Sequence, residues 1–325
     1  MRTSAQAEAL AASEIVVLAR AMSRAPSVHN TQPWRMRVRS SDIDLIELAS
    51  VALPNHDPEG RDRMVSCGAA LAHLQVAARV LCRAATTSYP ADGAVVATIH
   101  AEPGLSPDHA ELARYHAIGR RRTHRRWFSA EPVSEVDQAA VSAAGGEACV
   151  RAVVPRHLGE LGAMLGFATR VFRADPAYQR ELRAWTASTS GAHASGAEDG
   201  VPEAALGPES LPAAGLVRRE TPVPDDARLT ARLEAEHLLV FCTEGDNRRE
   251  HLAAGAGCAR TWLEATARGL AGSVLTQPLH LCGFRELLAE RLELPGLPQV
   301  IFRYGHPVDP VPPSPRRLLA DLLPD

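Results

Sequence analysis

The stretch Ala25-Pro26-Ser27-Val28-His29-Asn30-Thr31-Gln32-Pro33-Trp34 decides how this chain is read. Two prolines constrain a short polar loop, because each locks its own φ and biases the residue before it away from helix. Between them, Ser27, Asn30 and Gln32 hold hydroxyl and amide groups at set positions. That mixture of donors and acceptors can grip a planar heterocycle carrying carbonyls and ring nitrogens. Taken alone, the same residues also describe a polar turn whose side chains satisfy local backbone groups.

The flanks place this loop between a helix and a strand. Upstream, residues 5–23 read as a helix with Leu10, Val17, Leu18, Ala21 and Met22 on one face, ended by Pro26. Downstream, 34–38 and 43–48 read as strands, joined by a hairpin turn at Ser40-Ser41-Asp42. After Asp57-Pro58-Glu59-Gly60 a helix runs through Cys82, with Leu71, Leu74, Ala78 and Leu81 at helical spacing. A strand over 94–99 and a helix over 107–116 follow. The rest repeats the plan: a β-like run at 149–154, a helix over 158–184, a strand at 237–242, a helix over 248–268 and a strand at 299–304. This recurrence points to two pseudo-equivalent halves, 1–117 and 118–325. Residues 187–215 are rich in Ser, Ala, Gly and Pro, a composition that disfavours regular structure and reads as a lid.

Composition narrows the class. With 325 residues, 46% hydrophobic and 22% charged, the chain can bury a sizeable core. A net charge of −3 implies no general attraction to nucleic acid or anionic membrane. The start of the sequence lacks a basic segment followed by an apolar core, and no stretch is long and apolar enough to span a bilayer, so a cytoplasmic protein is expected. Cys67, Cys82, Cys149, Cys242, Cys258 and Cys282 form no CxxC pair and read as reduced thiols rather than metal ligands. Gly255-Ala256-Gly257 lies inside a predicted helix and is no dinucleotide fingerprint, and His280-Leu281-Cys282 is too short a pairing for a metal. No metal site is expected.

A second polar constellation is the run Arg120-Arg121-Arg122-Thr123-His124-Arg125-Arg126. In a helix, Arg121 and Arg125 would lie one turn apart and repel, so an anion is expected to offset them. Guanidinium forks match phosphate oxygens in pairs. A solvated basic face is the common alternative, and a nucleic-acid patch is disfavoured by an aromatic content of only 4%.

These two segments together resemble the nitroreductase superfamily. Pro26, Ser27, Asn30, Gln32, Pro33 and Trp34 match its PSxxNxQPW signature, and Arg121, Arg122, Thr123, Arg125 and Phe128 are similar to its RRSxRxF segment, with Thr for Ser and one residue inserted. Segment 267–278, with Gly272, Ser273 and Gln277, resembles the family's helix, Gly-Ser turn and loop beneath the flavin, and Arg316-Arg317 resembles its C-terminal basic pair. The resemblance implies an α+β fold and one noncovalent FMN, held by Ser27, Asn30, Gln32 and Trp34 on one side and by Arg121, Arg122, Thr123, Arg125, Arg316 and Arg317 at the phosphate. It implies NAD(P)H as reductant and a nitroaromatic or quinone-like acceptor, with His29 as a candidate proton donor. Each of the two segments occurs once, and the Gly/Ser/Ala-rich stretch stands where a second loop would be expected. The chain therefore resembles most the fused Acg-like subgroup, in which one chain replaces a dimer and a monomer is expected. The alternative carried by that subgroup is a protein that sequesters FMN under a lid with little turnover.

Overall fold

The computed structural model describes residues 9–146, 148–186, 199–202 and 216–323. Apart from 199–202, the lid expected at 187–215 lies outside the described residues. The first part contains α1 (Ala12–Ser23), β1 (Trp34–Arg39), β2 (Asp42–Glu47), α2 (Arg61–Val80), β3 (Thr86–Ser88), β4 (Val95–His100) and α3 (His109–Arg120). Next come α4 (Glu135–Ala143), β5 (Arg151–Val153), α5 (Leu158–Ala174), α6 (Pro176–Thr186) and α7 (Asp226–Glu234). The chain continues through β6 (His237–Thr243), α8 (Arg248–Ala267), β7 (Ala271–Leu275), α9 (Phe284–Arg291), β8 (Leu297–Gly305) and α10 (Leu319–Leu322). Among the described residues the strands form two antiparallel sheets, ordered β1-β2-β4-β3 and β5-β6-β8-β7. The fold is α+β, and the two sheets share one topology, with a long helix between the second and third strands of each.

Different environments explain why the two sheets read differently in sequence. On β1, Trp34 and Met36 are buried while Arg35 and Arg37 are exposed, because one face of this sheet meets solvent. The second sheet is covered on both faces: Leu238, Val240 and Ile301 pack under α5, α7 and α9, while Leu239, Phe241, Val300 and Phe302 pack against α4 and α8. Its central strands are therefore nearly continuous apolar runs. The cover comes from α5–α7, inserted between β5 and β6 where the first sheet has only a tight turn at Ser40 (φ 58°).

The two halves meet where α2 crosses α8. A Cβ on Gly68 would run into the carbonyl oxygen of Leu252, and one on Gly255 would run into that of Val65. The glycines thus let two backbones touch, the structural use of the Gly255 motif set aside above. Two other expectations are corrected. The helix expected over 158–184 is broken at Asp175, whose extended ψ of 111° ends α5 before Pro176 opens α6. Gly272 and Ser273 form no turn: they belong to β7, paired with Tyr304 and Arg303 of β8, and the left-handed residue is Gly269 (φ 81°). A side chain at Gly272 would meet the Phe302 ring at 2.5 Å, so tertiary packing rather than a turn selects glycine there.

Candidate functional site

The loop between α1 and β1 is held in an unusual conformation. His29, Asn30 and Gln32 have φ of 45°, 58° and 49°, left-handed values that cost a non-glycine residue on the order of 1–3 kcal/mol each. Contacts from two distant elements hold it there. Ser66 of α2 accepts from Val28 N at 3.0 Å, and Ser27 Oγ accepts from Gln32 N at 3.0 Å. From the far end of the chain, Pro315 O accepts from Asn30 Nδ2 at 3.0 Å, the Arg316 guanidinium donates to Asn30 Oδ1, and Arg317 N donates to Gln32 Oε1 at 3.1 Å.

Asn30 and Gln32 therefore grip the C-terminal segment, while Pro26, Ser27, Val28 and His29 line a cavity that is partly open to solvent. Its other walls are Asp62, Val65, Ser66 and Ala69 of α2, the α8 face from Gly255 to Trp262, and Val274, Thr276 and Val300. Both halves are needed to enclose it. Trp34 does not line it, being fully buried in the core beneath β1. Gln277 is also buried away from the cavity lining, with Nε2 unpaired.

Thr123 lines both this cavity and a smaller adjoining hollow, which Arg24, Arg121, Arg122 and Arg316 also line; Arg125 faces the larger cavity. The arginine run is extended rather than helical, since α3 ends at Arg120 and Arg121 has φ −54° and ψ 131°. His124 N donates to Gly272 O at 2.9 Å, docking the run on β7. Arg121 is 4% exposed and stacks over Trp262 at 4.7 Å, with Nε and Nη1 unpartnered. Burial, and then the charges of Arg316, Arg122 and Arg125, push its pKa well below the usual guanidinium value. Burial brings Arg125 and Arg316 down to about 10, and each also has an unpartnered buried Nε. Such a cluster of unneutralised buried cations is costly unless an anion joins it. Arg122 stands apart, since it donates to Gly119 O and Arg121 O at 2.9 and 2.8 Å.

Sequence reasoning missed Arg303, a fully buried cation on β8. Its Nε donates to Glu236 at 2.6 Å, while its Nη atoms donate to His124 O, Arg126 O and Ser273 Oγ at 3.3, 2.9 and 3.2 Å. It thus clamps the backbone on either side of Arg125, and Ser273 serves Arg303 rather than the cavity. A lone arginine inside Val300-Ile301-Phe302-Arg303-Tyr304 was the available signal.

A second polar group also escaped the sequence reading. His56, Asp62 and His280 converge beside His29, with Nε2 of His56 and of His280 3.3 and 3.1 Å from Asp62 Oδ2, and Thr276 Oγ1 donating to the same oxygen at 2.5 Å. The ligand-capable atoms of His56, Asp62 and His280 lie within 4.8 Å of one another. The Arg61 guanidinium, however, lies 2.9 Å from Asp62 and 3.1 Å from His280 Nε2, so a positive charge already occupies the side a cation would approach. Burial, followed by the His56 charge, pushes the His29 pKa well down, and burial also lowers that of His280.

No family model matches the sequence. The chain is 35% identical over 310 residues, covering 92% of this chain and 88% of the relative, to the Mycobacterium tuberculosis H37Rv protein named "Putative NAD(P)H nitroreductase Rv3131". It is 28% identical over 313 residues, covering 92% of each, to "Putative NAD(P)H nitroreductase acg" from the same strain. Among solved structures, the FMN-dependent nitroreductase NfnB of Mycobacterium smegmatis, in complex with NADPH, aligns at 19% identity and a TM-score of 0.40, over 65% of this chain and 96% of that one.

Proposed function

The chain belongs to the nitroreductase superfamily, in the branch that includes Acg, and from that premise we propose an oxidoreductase that carries one FMN and passes hydride from NAD(P)H to a nitroaromatic or quinone-like acceptor. One observation supports this reading above others: Arg121, Arg125 and Arg316, each with an unpartnered buried N–H, line a cavity with largely apolar walls and the hollow that adjoins it. A flavin mononucleotide has the complementary form, an anionic phosphate on a flexible chain leading to a flat apolar ring system. The residues present therefore fit the group.

In this reading Arg24, Arg121 and Arg316 hold the phosphate, while Arg122, spent largely on backbone carbonyls, lines the same hollow, with Thr123 at the junction and Arg125 further in. Val65, Ala69, Ala259 and Trp262 provide the apolar wall, and Ser27 with the backbone at Val28 and His29 provides polar contacts along the ring edge. Bound there, FMN supplies the hydride chemistry, and the protein supplies position, exclusion of water and charge. Asn30, Gln32 and Arg317 act one step back, by closing the C-terminal segment over the arginine hollow. The halves 1–117 and 118–325 divide the labour, the first bringing the loop and Arg24 and the second the rest of the phosphate grip.

The purified protein is expected to be yellow and to release about one FMN per chain on heating, with NADH or NADPH oxidation coupled to menadione. Two flavins per chain, or FAD, would overturn the single-site reading. Stoichiometric FMN without NAD(P)H oxidation would replace turnover by sequestration.

A further inference from the structure

Resting on that reading, we propose that His56, oriented by Asp62, donates the proton that accompanies hydride transfer to the acceptor. His56 lies between β2 and α2, in a connection fixed from the inserted helices of the second half. Glu181 of α6 accepts from His56 N at 2.8 Å and from Asn55 N and Nδ2 at 2.9 and 3.0 Å. The imidazole is boxed by His29, His280 and Tyr178, with ring centroids 4.5, 5.1 and 5.9 Å away. Its Nε2 faces Asp62, whereas its Nδ1 is buried without any partner in a residue that lines the cavity. A carboxylate on one ring nitrogen and an unused second nitrogen, on an imidazole of the cavity lining, is the arrangement a general acid needs.

The neighbouring imidazoles are less suited. His29 has no carboxylate partner in the cluster, and burial favours its neutral form. His280 Nε2 already faces the Arg61 guanidinium at 3.1 Å. Asp62 remains ionised: burial alone would raise its pKa, but His280, Arg61 and the bond from His56 hold it well below the carboxylate range. The ionisable groups around His56 are His29 from the loop, Asp57, Arg61 and Asp62 at the start of α2, Tyr178 and Glu181 from α6, and His280 before α9. Asp62 is a positioning residue, since it acts through His56 Nε2.

A quinone becomes a hydroquinone by taking one hydride, supplied from NAD(P)H through the cofactor, and one proton, given by His56 Nδ1 to the oxygen that gains charge. The C=O π pair becomes the new O–H bond, and the imidazolium becomes a neutral imidazole that keeps its Nε2–H toward Asp62. Solvent then restores the Nδ1 proton.

The test uses the FMN-loaded protein, reduced with dithionite so that its reactivity with NAD(P)H is not involved, and mixed with menadione in a stopped-flow instrument. His56→Gln should slow reoxidation roughly hundredfold and abolish the solvent isotope effect, with FMN content unchanged. Asp62→Asn should slow it less and shift the pH profile. Independently, ¹⁵N imidazole spectra of the flavin-free protein should show neutral His56 as the Nε2–H tautomer, and Asp62→Asn should remove that preference. Reoxidation of His56→Gln within twofold of wild type, or a neutral Nδ1–H tautomer in the wild type, overturns the proposal. Should His56→Gln not fold, His56→Asn and the wild-type spectra decide it. Wild-type protein that binds no FMN instead overturns the proposed function, and the spectra still test the Asp62–His56 orientation.

Discussion

The loop between α1 and β1 and the loop between α4 and β5 each lead from a helix into the first strand of a four-stranded sheet. The first is rich in proline and polar side chains, holds three non-glycine residues left-handed, and lines the cavity. The second carries Gly145 and Gly146, and Gly145 is pressed onto α8, where its own Cβ would meet Thr261 Oγ1 at 2.6 Å and a Cβ at Gly257 would meet Gly145 O at 2.7 Å. The space around α2 and α8 differs in the same sense. Val65, Ala69, Gly255 and Ala259 face the cavity, whereas Leu71, Ala72 and Ala256 belong to the first core and Leu252 borders a separate hollow with Met64, Tyr89 and Arg249. One topology, used twice, does not give two like cavities, because loop chemistry and side-chain volume rather than strand order decide where room is left.

Four changes would break or sharpen this contrast. The largest effect is expected at the crossing that both halves share. Gly68→Val and Gly255→Val each drive a side chain into the opposite backbone, and each should cost about 3 kcal/mol or more. Thermal denaturation should show similar losses for the two. A large loss for only one would mean that the halves are not equivalent at their contact.

Arg121→Ala removes a buried cation with two unpartnered nitrogens from the open side. Charge-assisted bonds of roughly 1.5–3 kcal/mol translate into about ten- to a hundredfold weaker FMN binding per bond lost. Riboflavin, which has no phosphate, should be much less affected in calorimetry. Equal loss for both ligands would assign Arg121 to folding or to the ring.

Acid should separate the halves. His73 on α2 is fully buried, with Nδ1 3.0 Å from Ala21 O, and burial pulls its pKa from 6.5 to about 3. The unfolded chain binds a proton near pH 6.5 that the folded chain refuses, so this contribution to stability is complete above pH 6.5 and declines as pH falls toward 3. Hydrogen exchange at pH 4.5 should show the α1–α2 packing loosening before β6 and β8. His73→Gln should reduce the difference, and simultaneous loosening of both regions in wild type would discard the idea.

The smallest effect is expected for Arg122→Ala. Its guanidinium is spent largely on nearby carbonyls and is partly exposed, so a loss of about 0.5–1 kcal/mol, a two- to fivefold change in FMN affinity, is expected by fluorescence titration. A loss as large as that of Arg121 would place Arg122 directly on the phosphate.

Much of this molecule was legible along the chain. The order of helices and strands followed from periodicity, as in Trp34-Arg35-Met36-Arg37 for a one-faced strand and the long amphipathic stretch ending near Cys82. The arginine run stood out through its charge, although the helical repulsion argued for it does not arise in the extended segment that the structure shows. The short elements β3, α4, α7 and α9 were passed over, since each is too brief for its period to stand out. The Gly/Ser/Ala-rich stretch was taken for the counterpart of the proline-rich loop. The repeated topology puts that counterpart at 144–150 instead, and the low-complexity stretch falls within the insertion between β5 and β6.

The sequence by itself determined which backbone conformations were open locally and which side chains carried charge or polarity, because proline geometry, hydrophobic period and guanidinium repulsion act over a few residues. Only the tertiary structure decided which of those groups meet. It brought Arg316 to Asn30 and Arg303 to the carbonyls beside Arg125. It also set His280 against Asp62 and His56, turned Asn30 and Gln32 toward the C-terminal segment, and left the cavity to Ser27 and His29. Such contacts join residues far apart in the chain, and they are set by close packing of helices and sheets, which no local pattern encodes.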